Sequence, residues 1–140
     1  MMHGEYNYHN ILFDATSEKD NYGHRKLNVY TMNFDHFKKN VQVEDLYYFL
    51  RKAMEKQGFK EWISDGILNA YSAIIPLGKN ELEYLKNRLM YPEKFFKVAN
   101  SYYHSNKAWI SIKNVEKMQM AVRQMNEKEH FLNHFFDARI

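Results

Sequence analysis

The 140-residue chain has no cysteine, which excludes disulfide staples, thiolate metal sites and a cysteine nucleophile. It has only two prolines and five glycines, and no Pro/Gly/Ser-rich stretch marks a linker between domains. Internal repeats and low-complexity tracts are absent as well. Nowhere does the sequence approach the roughly 18 consecutive apolar residues of a membrane span, because Lys, Glu or Asn interrupts each apolar segment every few positions. No membrane span is expected. Residues 1–10 hold neither an apolar core nor a basic leader, so no secretory signal is expected there. Charge of one sign is scarce too: 20 Lys/Arg and 17 Asp/Glu are spread along the chain for a formal +3. No basic stripe is dense enough to neutralise a run of phosphates, and nucleic-acid binding has no support.

What is present suits one compact unit with a real core, since 45% of the residues are hydrophobic and 16% aromatic. Near the start, residues 10–14 form a short apolar run, followed by a polar stretch over 16–26 and a second β-prone run over 27–34. Two such runs predict a hairpin with a long connection. From Val43 the period changes to that of a helix: Val43, Leu46, Phe49, Leu50, Ala53 and Met54 share one face, and Gly58 supplies a stop. A second helix is predicted with Ser64 as its cap, carrying Leu68, Ile74 and Ile75 up to Pro76. A third carries Leu82, Leu85, Leu89 and Met90 and breaks at Tyr91-Pro92.

Pro92 and Glu93 then open a fourth helix, predicted to bury Phe95, Phe96, Val98, Ala99, Tyr102 and Tyr103. After a turn at Ser105, Asn106 and Lys107, a fifth, long helix is expected from Ser111 to Phe136, with Asn114 as a possible cap. The predicted class is α+β, mainly α: a short N-terminal hairpin over 1–42 and a helical body of about five helices over 43–140.

The chemistry-bearing segment is His3-Gly4-Glu5-Tyr6-Asn7-Tyr8-His9-Asn10. It resembles the H-G-D-x-x-x-x-N catalytic loop of the aminoglycoside phosphotransferase and choline kinase class. In that class the Asp orients or deprotonates the acceptor hydroxyl, and the Asn binds magnesium. Glu5 stands at the Asp position and Asn10 at the Asn position. The class follows this loop with a hairpin whose end carries a metal-binding Asp. Here that tripeptide is Asn33-Phe34-Asp35.

Farther on, residues 43–52 look like the Asp-Leu helix start of the class. The block YPEKFFKVANSYY over 91–103 and Lys107-Ala108-Trp109-Ile110 resemble the C-terminal helices of CotS-type spore coat kinases.

The resemblance implies a protein-kinase-like C-lobe, a partial kinase domain over 1–140. The class places its nucleotide under a separate N-terminal lobe. With His3 only two residues after Met1, that lobe is expected to be missing from this chain. The expectation is a pseudokinase: a non-catalytic coat component, made in the mother-cell cytoplasm, deposited on the spore coat and partnered by other coat proteins. As an isolated chain it would hold no cofactor.

The competing expectation is a small-molecule or polysaccharide phosphotransferase using ATP and Mg2+. There Glu5 would act as base, and Asn10, Asn33 and Asp35 would hold the metal. Two amides neutralise no charge on a hard cation, and Glu5 is one methylene longer than Asp. A misplacement on the order of 1 Å can cost about a hundredfold in rate. Asp35 would rescue the metal if alternation placed it on the same strand face as Asn33.

Among the seven histidines, His3 reads as a structural hydrogen-bonding residue of the loop. His130 and His134 are one helical turn apart, but the intervening residues lack the glutamate of a helical zinc motif and the sequence offers no third ligand.

Overall fold

The computed structural model describes residues 1–104 and 111–140, and it separates into two compact units, Met1–Lys52 and Ala53–Ile140. The expected turn at Ser105, Asn106 and Lys107 and the segment 107–110 lie outside the described residues. The class is α+β, mainly α, as the sequence predicts.

In the first unit, strands β1 (Ile11–Lys19) and β2 (Arg25–Thr31) pair antiparallel. Leu12 lies opposite Tyr30, and Phe13 opposite Val29. The polar stretch expected as a long connection is largely strand, and only residues 20–24 turn. The reason is that both faces of the hairpin are exposed, including Leu12, Phe13, Leu27, Val29 and Tyr30. Alternation of apolar and polar residues is not required where neither face is buried, so polarity did not mark the strand ends. A 3-10 turn, Phe34–His36, follows, and an isolated bridge joins Met2 to Lys38.

Helix α1 (Val43–Gln57) begins in this unit. Its face Val43, Leu46, Tyr47 and Leu50 is buried, together with Met2 and His3. The helix ends where expected: Gly58 takes φ +66°, a left-handed conformation that costs glycine little. Phe59 follows, also left-handed at φ 55°. It is held there by burial and by its N–H bond of 3.0 Å to the Met54 carbonyl.

The regular elements of the second unit, among its described residues, are all helical: besides the end of α1 they are α2 (Glu61–Ser72), α3 (Lys79–Met90), α4 (Glu93–Tyr103), α5 (Ile112–Arg123) and α6 (Met125–His130). A π-helical turn, Phe131–Phe136, completes it. Its buried hydrophobic residues are Met54, Phe59, Leu68, Leu85, Leu89, Val98, Phe131, Leu132 and Phe136. Phe59 and Phe131 meet at 6.0 Å between ring centroids. Arg139 pairs with Asp65 and Lys86 with Asp137, which ties the C-terminal turn to α2 and α3.

Several expected details change. Helix α2 starts three residues before Ser64, with Lys60 at its N-cap, so Ser64 is an interior residue with a fully buried, unbonded hydroxyl. Ile74 and Ile75 lie past the helix end and are exposed. The cap of α5 is Ser111, whose hydroxyl accepts from the Asn114 N–H at 3.3 Å. Asn114, expected as the cap, is instead the donor of that bond.

The long fifth helix is two. Gln124 leaves helical geometry at φ −89°, ψ 3°, and its side-chain amide donates to the Glu55 carbonyl at 3.0 Å. Beyond the break, the wider winding of the π turn buries Phe131 and Phe136, five residues apart. On α4 only Val98 is buried. Phe95, Phe96, Tyr102 and Tyr103 are exposed, as is Met90 at the end of α3.

Candidate functional site

The loop 3–10 is built around His3. Its ring is buried between Phe34, at 4.8 Å, and Tyr6, at 5.9 Å. Nδ1 of His3 accepts from the Glu5 N–H at 3.2 Å, which leaves Nε2 to carry the proton and donate to the Met32 carbonyl at 2.8 Å. The tautomer is thereby fixed, and both ring nitrogens serve structure, as the sequence reading of His3 expected.

Gly4 has φ +90°, and a Cβ there would strike the carbonyl oxygen of His36. Only glycine fits this close approach.

A carboxylate from the first turn of α1 secures the same loop. Asp45 accepts from the His3 N–H at 2.6 Å through Oδ2 and from the Gly4 N–H at 2.9 Å through Oδ1. The position also suits an anion, because α1 leaves unsatisfied N–H groups at this end. Sequence reasoning placed Asp45 at a helix start but gave it no part in the loop. The only signal was an acid at that helix start, and its targets lie about 40 positions away in sequence.

Of the predicted metal residues, Asn10 and Asn33 come together and Asp35 does not join them. Asn10 is buried, and its side-chain NH2 donates to the Glu5 carbonyl at 2.9 Å. A carbonyl can only accept, so Asn10 must turn its amide oxygen the other way. That oxygen receives the side-chain NH2 of Asn33 at 2.8 Å. The orientation of both amides follows from this chain of donors and acceptors.

Asn33 reaches Asn10 from a left-handed backbone, φ 62° and ψ 61°, a conformation asparagine tolerates better than most residues. The oxygen that the resemblance assigns to magnesium is therefore occupied by an N–H donor from the residue assigned to share that metal.

Asp35 does not repair this. Strand β2 ends at Thr31, and Asn33 to His36 forms a left-handed residue followed by a 3-10 turn. The alternation that would place Asp35 beside Asn33 on a strand face does not exist, and Asp35 is exposed in the turn. Glu5 is exposed as well, with Oε1 3.7 Å from Nε2 of His36. An exposed pair at that distance adds little.

Magnesium favours carboxylate oxygens and octahedral geometry. A closed amide pair with one carboxyl in an exposed turn does not fit it. No group of three His, Asp or Glu among the described residues is arranged to hold a metal. His130 and His134 do approach, at 4.3 Å between ring centroids, with Glu61 Oε1 3.8 Å from His130 Nδ1. They form an exposed contact rather than a site.

The chain matches a family model described as "Spore coat putative kinase YutH" over residues 18–135. The match includes Asn33, Asp35 and the six α-helices of the described residues, and it begins beyond Asn10. It agrees with the sequence resemblance at the level of a kinase-like spore coat family. No curated protein and no solved structure matches the chain.

Proposed function

Because the chain belongs to the YutH family of spore coat proteins, we propose that it is a non-catalytic, kinase-derived structural component of the bacterial endospore coat. One observation carries the absence of catalysis: the bond from the Asn33 NH2 to the Asn10 amide oxygen. Phosphoryl transfer needs metal-held phosphates and a positioned base. Here the metal-facing oxygen already accepts the Asn33 NH2 inside the protein, and the base position holds an exposed Glu5. The fold of the loop is supported by the bonds of His3, Gly4 and Asp45.

The role left to such a loop is packing, and the partners are other coat proteins. No helix among the described residues is long and apolar enough to cross a membrane.

The test is a magnesium titration followed through the side-chain NH2 signals of Asn10 and Asn33, with calorimetry against Mg-ATP in parallel. The expected result is unmoved amide signals to millimolar magnesium and no heat of ATP binding. Micromolar binding of Mg-ATP, or magnesium-dependent shifts at both amides, would overturn the reading.

A further inference from the structure

Helices α4 and α5 pack on each other and leave most of their large apolar residues outward. On α4, Phe95 is 46% exposed, Phe96 48% and Tyr103 81%. On α5, Ile112 is 79% exposed, Met120 49% and Val122 64%. The aromatic rings cluster among themselves: Phe96 stacks on Tyr91 at 5.1 Å and meets Phe95 at 5.7 Å.

The charge of the molecule is concentrated on the same two helices. They carry Lys94, Lys97, Lys113, Lys117 and Arg123 against Glu93 and Glu116, a formal +3. That equals the charge of the whole chain, so the other 15 basic and 15 acidic residues cancel. Glu93 is engaged with Lys97 at 2.7 Å, but Lys97 stays 70% exposed.

We propose that the α4–α5 face is a docking surface for an anionic lipid layer, with Phe95 and Phe96 entering the headgroup boundary and the lysines contacting anionic headgroups. A helix with aromatic residues on one side and lysines flanking them is suited to lying in such an interface. Basic residues near an anionic surface each strengthen the attraction. A second copy of this chain is the poorer occupant, because two faces of +3 repel. The lipid-facing role is independent of whether the loop 3–10 is catalytic.

The experiment is co-sedimentation of the full chain with phosphatidylcholine vesicles, with and without phosphatidylglycerol. Binding is expected only to the anionic vesicles, falling as salt rises. Two double variants, Phe95→Ser with Phe96→Ser and Lys94→Gln with Lys97→Gln, should each weaken it by at least about tenfold. Helical circular dichroism should be retained in both. Phe13→Ser, on the exposed hairpin, should bind like the unchanged chain.

Three outcomes would overturn the proposal: no binding to anionic vesicles, an equal loss with Phe13→Ser, or a concentration-dependent dimer that Phe95→Ser abolishes. The last would assign the face to a second copy.

Discussion

Helices α1 and α4 look alike in sequence and fare differently in the fold. Both space apolar residues at three and four, and both start with an acid in the first turn. In α1 that pattern is a core: Tyr47, Leu50 and Met54 are 0% exposed, with Val43 and Leu46 at 5%. In α4 only Val98 reaches burial, and the aromatic residues beside it face outward. Periodicity reports that a helix has an apolar face. What covers the face is decided by chain segments far away in sequence, or by nothing in the same chain.

The sharpest way to break this comparison is to truncate one residue on each helix. Leu50→Ala should cost about 2–5 kcal/mol, the range for removing a large aliphatic side chain from a packed site. Phe95→Ala, at a half-exposed position, should cost less than about 1 kcal/mol. Urea unfolding followed by circular dichroism measures both. Similar losses for the two would mean that α4 has a covering partner in the folded chain.

The next effect concerns polar groups that hold each other in place. In Asn33→Asp the left-handed backbone is still tolerated, but a carboxylate replaces the donor and faces the Asn10 oxygen. The expected cost is about 1–2 kcal/mol from the lost bond and the new repulsion. Millimolar magnesium should recover part of it, because a cation can bridge two oxygens that repel each other. Loss of stability with no magnesium response would show that the two side chains cannot be opened to a metal.

Much of this arrangement was legible in the sequence, and the failures have a common cause. Gly58 was readable as a stop because its backbone requirement is local. The spacing from His3 to Asn10 and on to Asn33 marked the right residues. Their bonding was not readable, since Asn33 depends on a left-handed turn and Asp45 reaches back from α1 to a loop far away in the chain. Ser64 was misread because a serine before an apolar stretch looks like a cap wherever it stands, and Lys60 gives no cap signal at the true start. The break at Gln124 rests on a bond to Glu55, 69 positions away.

Ser64 also offers a smaller test, of burial without a partner. Its hydroxyl is enclosed in α2 and makes no hydrogen bond. A buried unsatisfied polar group is a cost, and alanine removes it while improving helix propensity. Ser64→Ala should therefore leave stability unchanged or raise it by up to about 1 kcal/mol, measured by thermal or urea unfolding. A loss of more than that would reveal a bonded partner for the hydroxyl, an enclosed water being one candidate.

Asp20 is the opposite case, a carboxylate at the surface with several partners. It turns the hairpin by accepting from the backbone N–H groups of His24, at 2.8 Å, and Tyr22, at 2.9 Å, while Oδ2 lies 3.3 Å from the His24 ring. The bond from the His24 N–H, first, and then those from Tyr22 and the His24 side chain hold its pKa below the usual carboxylate value. The sign follows from that direction: the charged form is favoured in the folded turn. Its contribution is fully present above the unfolded value of about 3.9 and is lost as pH falls through the lower folded value. The backbone N–H signals of Tyr22 and His24 should therefore titrate together, with a midpoint below about 3.9, while those of α1 stay fixed over the same range. Asp20→Asn should remove that titration and leave the unfolding of α1 unaltered. A midpoint at or above the ordinary carboxylate value would mean that the turn does not hold these bonds in solution, and that the exposed hairpin is ordered by its cross-strand pairs alone.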